Sequence, residues 1–261
     1  MDMSDTVHAI VVDADAPGRL AVREVHLAPA APGEATVRVT AVSLNRGEVK
    51  RALTSMEPGS RPGWDFAGVV EEASSQGGPA VGSRVVGLLP AGAWAERVRV
   101  PIHSITSLPD DVTNAQAAAL PVAGLTALHA LRKGGLLLGR KVLVDGATGG
   151  VGHFAVQLAA ASGALVHAYL RHDSQRAVVA EWCTGGVLVG ETLDCARAAA
   201  PYDLILDSVG GTALGTALSL LRRSGTCVTS QRSLPRTPPG TAPRCAARPA
   251  CSARTSRWSP R

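Results

Sequence analysis

Aromatic side chains are scarce in this 261-residue chain: two Phe, two Tyr and four Trp. So few rings mark out no particular substrate. Cysteine is absent from the first two-thirds. The five cysteines are Cys183, Cys195, Cys227, Cys245 and Cys251, and no two stand in a Cys-x-x-Cys spacing. That excludes a redox dithiol or a zinc ribbon and leaves small thiols in a reducing compartment. The start of the chain, Met-Asp-Met-Ser-Asp, has neither a basic n-region nor an apolar h-region, so a cytoplasmic location is expected. The apolar run from Gly149 to Leu170 is interrupted by His153, Gln157, Ser162 and His167. It reads as a helix followed by a strand, not as a membrane span.

Several catalytic patterns are also missing. No Gly-x-Ser-x-Gly elbow exists, which excludes that class of hydrolase. No Gly-Lys-Ser/Thr follows a glycine loop, which excludes a triphosphate P-loop. A short-chain dehydrogenase needs Tyr with Lys four residues later. Here Tyr169 is followed by Asp173 and Tyr202 by Leu206. The net charge of +5 does not signal nucleic acid. Seven of the 26 basic residues lie in residues 231–261 beside no acidic residue, which leaves 19 basic against 21 acidic residues in 1–230.

What is present begins with Lys141-Val-Leu-Val-Asp-Gly-Ala-Thr-Gly-Gly-Val-Gly152. Strand-forming residues run into a glycine turn. Then Val151, Phe154, Ala155, Leu158 and Ala159 repeat with helical period. Strand, glycine turn and helix form the setting of a dinucleotide fingerprint. Gly146, Gly149 and Gly152 are spaced so that bare backbone can approach a pyrophosphate resting on the helix N-terminus, together with Gly150 and Val151. The second strand of such a unit ends about 20 residues past the turn, where an acidic residue selects NAD and an arginine selects NADP. Arg171 stands there and Arg176 follows; both suit a 2′-phosphate, so NADPH is the expected cofactor.

The first ~110 residues read as β-rich, with strands expected over Val7–Ala14, Leu20–Leu27, Ala35–Leu44, Asp65–Ala73, Ser83–Leu89 and Trp94–Val100. Two helices are expected between Thr113 and Leu131, with Thr113 or Asn114 as N-cap. From Lys141 on, strands and helices alternate. Strands are expected at Lys141–Val144, Leu165–Leu170, Val187–Val189, Asp203–Leu206 and Thr226–Thr229. Helices are expected at Gly150–Ser162, Ser174–Trp182 and Thr212–Arg222. Alternation of this kind predicts an α/β chain with a doubly wound parallel sheet. Residues 231–261 hold no Val, Ile, Phe, Met or Tyr but six Pro and seven Arg. Such a segment cannot bury enough apolar area to fold. Either an out-of-frame reading from about residue 230 or a natural disordered extension explains it. Pro235-Arg-Thr-Pro238 matches a proline-rich ligand pattern at the level of chance.

Five motifs, in order, resemble the quinone oxidoreductase branch of the medium-chain dehydrogenase/reductase superfamily. They are Pro62-Gly-Trp-Asp-Phe-Ala-Gly-Val-Val70, Val81-Gly-Ser-Arg-Val-Val-Gly87, Pro121-Val-Ala-Gly-Leu-Thr-Ala127, Gly146–Gly152 with Ala155-Val-Gln-Leu158, and Asp207-Ser-Val-Gly-Gly211. The resemblance spans residues 7 to about 229. It implies a GroES-like substrate domain over 1–115, lacking its C-terminal return. It implies a Rossmann NADPH domain over 116–229, incomplete at its C-terminus, and a tail over 230–261. It also implies hydride transfer from NADPH to a quinone, an enone or an enoyl thioester, and a homodimer where the C-terminal strands are intact. The partner is then a small molecule, with no nucleic acid and no membrane. Zinc-dependent relatives carry Cys where Asn45 stands and His where Trp64 stands. Amide and indole groups do not ligate zinc, so no metal is expected. Asn45 and Thr126 are implied near the nicotinamide, and Lys50 stands where relatives place a tyrosine donor. Ser208 and Gly210 are implied on the adenosine side. Loss of the last strands implies weak turnover, and a remnant that at most binds nucleotide is the alternative function.

Overall fold

The computed structural model describes residues 6–230. The tail reading, the proline-rich match, Cys245, Cys251 and the C-terminal strands of an expected homodimer lie outside the described residues.

The chain opens with an antiparallel pair, β1 (Thr6–Val12) and β2 (Leu20–His26). A five-stranded antiparallel sheet follows in the order β6-β3-β4-β5-β7. Its strands are β3 (Glu34–Val42), β4 (Asp65–Glu72), β5 (Arg84–Leu88), β6 (Arg97–Pro101) and β7 (Ile105–Ser107). Val37, Phe66, Val70, Val85, Val98 and Val100 bury its inner face. The strand expected from Trp94 starts instead at Arg97. Trp94, Ala95 and Glu96 pair back onto β1: Ile10 N–H donates to Trp94 O at 2.8 Å and Glu96 N–H to His8 O at 3.0 Å. Helix α1 (Arg46–Thr54) bridges β3 and β4. Helices α2 (Asn114–Ala118), capped by Thr113, and α3 (Pro121–Arg132) lead into the second sheet.

The second sheet has five strands, all parallel, in the order β10-β9-β8-β11-β12. They are β8 (Lys141–Asp145), β9 (Leu165–Leu170), β10 (Gly186–Val189), β11 (Tyr202–Asp207) and β12 (Leu221–Thr229). The chain starts in the centre, winds outward to β10, then returns beside β8 at β11. Val142 and Val144 face helix α4 (Gly150–Ala161) and α3, whereas Leu143 and Ile205 face α5 (Thr212–Ser219). Both faces are covered, so Val142, Leu143 and Val144 are each 0% exposed. That double cover is why the strand reads as unbroken apolar residues.

Two expected helices are corrected. Ser174–Trp182 folds as two 3-10 turns, Asp173–Val178 and Ala180–Trp182. Val179 breaks them at φ −129°, where its side chain is fully buried in the core. Adjacent β-branched Val178 and Val179 are poor helix material. The helix expected to Arg222 ends at Ser219, because Leu221 pairs with Tyr202 and begins β12 early. A register shift between Tyr202 and Leu204 absorbs the extra residues, and Ser224 takes φ +66° there.

Candidate active site

In an open parallel sheet, ligands bind where the winding reverses, at the carboxyl ends of the strands. Here that point lies between β8 and β11, and the glycine turn fills it. The three glycines have separate causes. Gly146 has φ +77°, and a Cβ there would lie 2.8 Å from Ser208 Oγ. A Cβ on Gly152 would fall inside the contact shell of Gly146 O and 2.7 Å from Ala147 Cα. Gly152 therefore lets α4 pack onto the turn. Gly149 is less constrained. It is the N-cap of α4 at φ −77°, ψ 166°, and its only near neighbour is Gly146 O at 3.3 Å. Gly150 meets only Ala123 Cβ, at 3.6 Å. Fold constraints thus account for Gly146 and Gly152. They leave Gly149 and Gly150 bare beside the first-turn N–H groups, which have no acceptor within a helix. A diphosphate fits that opening, where the helix dipole also favours negative charge.

Two cavities flank the turn. The larger, about 620 Å³, is polar and is lined among others by Arg46, Asp145, Gly146, Thr148, Arg171 and Gly210. The other, about 460 Å³, is mainly apolar and is lined among others by Leu88, Val122, Leu125, Thr126, Val151 and Ser208. The residues expected from the sequence divide between them. Gly146, Arg171 and Gly210 line the polar cavity, and Thr126, Val151 and Ser208 the apolar one. Gly149, Gly150 and Gly152 line neither. Asn45, Lys50 and Arg176 line neither cavity. Arg176 is held by Asp173 three residues earlier, Nε to Oδ1 at 2.7 Å. Lys50 is exposed on α1.

Asn45 has structural work. Its Nδ2 donates to Asp65 Oδ2 at 2.8 Å, to Glu48 Oε1 at 2.9 Å and to Ser43 Oγ at 3.2 Å. Its backbone N–H donates to Glu48 Oε1 at 2.7 Å. Asp65 Oδ1 in turn accepts the Val122 N–H of α3 at 3.2 Å. Burial raises both carboxyls, Glu48 and Asp65, above their usual range. One amide thus ties α1 to β4 and, through Asp65, to α3.

The floor of the polar cavity holds a feature that sequence reasoning missed. Asp145 and Asp207 are register partners on β8 and β11, each 1% exposed. Asp207 Oδ1 accepts the N–H groups of Val209 at 2.9 Å and Gly210 at 2.8 Å. Oδ2 of each carboxyl has no hydrogen-bond partner. Burial, then the charge of Asp207, pushes Asp145 up to about 6, against the pull of the Gly146 N–H and Arg171. The available signal was an acidic residue directly before the glycine turn. Among the described residues, no three His, Cys, Asp or Glu side chains converge to hold a metal ion. Asn45 and Trp64 supply no metal ligand either. No described helix is long and apolar enough to cross a membrane.

An antiparallel sheet followed by a doubly wound parallel sheet, with a glycine turn at the switch point, is an architecture this chain shares with solved oxidoreductases. The alcohol dehydrogenase GroES-like domain matches residues 31–110. A probable oxidoreductase from Mycobacterium abscessus superposes with TM-score 0.78 at 30% identity, over 88% of this chain and 76% of that one. The quinone oxidoreductase from Coxiella burnetii gives TM-score 0.77 at 28% identity, over 86% and 75%. A mycocerosic acid synthase-like polyketide synthase from Mycobacterium tuberculosis is 37% identical over 213 residues, 76% of this chain and 10% of that protein. The chain therefore spans about a tenth of that curated relative's length. It belongs to the quinone oxidoreductase-like branch of the medium-chain dehydrogenase/reductase superfamily.

Proposed function

We propose that this chain reduces a quinone or an activated alkene with NADPH, in the cytoplasm and without a metal ion. Residues 116–229 hold the nucleotide, and residues 1–115 meet the acceptor at Leu88. The observation that carries this reading is the pairing of a charged and an apolar cavity across a glycine turn at the sheet's switch point. The polar cavity suits the adenosine and diphosphate, with Arg171 for the 2′-phosphate and the start of α4 for the diphosphate. The apolar cavity suits the nicotinamide and the acceptor, which must meet with water excluded. When bound, the nucleotide supplies a hydride from its C4 position. Negative charge then develops on the acceptor oxygen, and the Thr126 hydroxyl lines the cavity where a donor to it is needed. Asn45 serves by positioning: its amide is committed to Ser43, Glu48 and Asp65. Lys50 and Arg176, which line neither cavity, are given no role in the transfer. The likeness to a polyketide synthase supports the enoyl thioester end of the acceptor range.

The test is to mix purified protein with NADPH and a panel of quinones, enones and enoyl thioesters, and to follow the nicotinamide absorbance band. Acceptor-dependent loss of that band is expected. Protection from heat by NADPH with no turnover on any acceptor would replace this reading with a nucleotide-binding remnant.

A further inference from the structure

Asp145 and Asp207 end adjacent parallel strands as register partners, so their side chains leave the sheet on the same face. It is the face of Leu143 and Ile205, which α5 covers. Neighbouring strands lie about 4.8 Å apart, which makes the two carboxyls close neighbours. Each residue is 1% exposed, and Oδ2 of each is buried without a hydrogen-bond partner. Two ionised carboxylates so placed repel, and two buried acceptors without a donor are costly. One proton removes both faults, because a protonated carboxyl oxygen donates to its neighbour. A metal ion is the other remedy, but among the described residues no third His, Cys, Asp or Glu converges on the pair.

The ionisable groups around the pair do not replace that proton. On β9, Tyr169 is the register partner of Asp145, but its hydroxyl donates to Gly190 O at 3.0 Å. Burial raises the Tyr169 hydroxyl and the Cys195 thiol, and pushes the Cys227 thiol of β12 up to about 11, so all three stay neutral. Helix α5 carries no ionisable side chain. His153 of α4 packs against Trp182, on the other side of the sheet. Glu191 and Asp194 line the polar cavity and add negative charge; Arg46 and Arg171 line it and oppose that charge. Arg171 pulls Asp145 down, yet burial and the charge of Asp207 still push that carboxyl up to about 6.

A dinucleotide sharpens the conflict. Asp145 directly precedes the glycine turn and lines the polar cavity. A diphosphate seated on that turn brings two more negative charges to the same cavity. A nearby anion favours the protonated form of a buried carboxyl. We propose that Asp145 and Asp207 hold one proton between their two free oxygens in the complex, so that a dinucleotide binds together with a proton. This rests on the dinucleotide reading above. The proton comes from solvent and returns to it when the dinucleotide leaves, and it takes no part in the hydride transfer.

The experiment is isothermal titration with NADH at about pH 7.5, in buffers of different ionisation enthalpy, which counts the protons taken up. NADH lacks the 2′-phosphate, whose own ionisation near about pH 6 would obscure the count. The parent should take up about half a proton or more per NADH, and its affinity should fall about fivefold or more between about pH 6.5 and 8. Asp145→Asn should take up none, and its affinity should stay flat over that range. Asp207→Asn should behave alike, since its Oδ1 can still accept the Val209 and Gly210 N–H groups. If one variant fails to fold, the other and the buffer series on the parent carry the test. A parent that binds NADH with no proton uptake overturns the proposal. So does an uptake that survives both substitutions, which assigns the proton to another group. A parent that binds neither NADH nor NADPH overturns the reading of the site itself.

Discussion

The two cavities beside the glycine turn differ in kind. One is walled by arginines and carboxyls, the other by leucine, valine and proline side chains with Thr126 and Ser208 among them. A single sheet produces both, because the winding reverses between the parallel strands β8 and β11. The division matches a molecule with a charged half and a flat, less polar half. It also separates residues that shape the fold from residues that would meet a ligand.

The glycines break that comparison most severely. Gly152 belongs to the fold, so Gly152→Ala should destabilise the protein by more than about 3 kcal/mol, since the new methyl meets backbone that cannot move aside. Gly150→Ala, with Ala123 Cβ at 3.6 Å, should cost less than about 1 kcal/mol. Denaturant midpoints of the two variants check this; equal costs would mean that the packing of α4 on the turn is misplaced.

The carboxyl pair under the polar cavity comes next. Asp145 titrates at about 6 in the folded chain, against an ordinary value of 3.8. Folding therefore favours its protonated form. The stability it contributes is full below about pH 4 and is lost as pH rises through about 6. Asp145→Asn keeps a neutral group throughout. The variant should match the parent below pH 4 and exceed its stability by about 1–3 kcal/mol above pH 6.5. A difference that does not change with pH would contradict the raising of Asp145 by its burial and by the charge of Asp207.

The arginines after β9 give the smallest effect and the sharpest contrast. Arg171 lines the cavity; Arg176 is turned to Asp173. Arg171→Gln should raise the Kd for NADPH about tenfold. Arg176→Gln should change it less than about twofold, because an exposed ion pair contributes little. Fluorescence titration distinguishes them, and a larger loss for Arg176→Gln would exchange their roles.

Much of this arrangement was legible from residue order. The limits of β8, β9 and β11 fall within one residue of expectation, because strands buried on both faces show as short apolar runs between glycines. Thr113 was readable as a cap from its type and position. What failed depended on distant partners. Residues 173–182 carry helical composition, yet the burial of Val179 decides their shape. Leu221 starts a strand because Tyr202 is its neighbour, a fact that no local window holds. The site shows the same limit. The glycine turn and Arg171 follow one another in sequence, and Gly146 and Arg171 line one cavity. Arg46 reaches the same cavity from another domain, and no spacing rule links it to Gly146. Asn45 was expected near the nicotinamide; its amide bonds to Asp65 and Glu48 appear only in three dimensions.

The most direct test is Gly149→Asp. Position 149 is an N-cap with extended backbone, where aspartate is among the favoured residues, and a Cβ there meets only Gly146 O, at 3.3 Å, so the variant should fold with a melting temperature close to that of the parent. Its carboxylate would stand where the diphosphate is received. The account predicts NADPH binding weakened by at least about a hundredfold, the result of like charges meeting in a partly buried site. A folded Gly149→Asp protein that binds NADPH as tightly as the parent would contradict it.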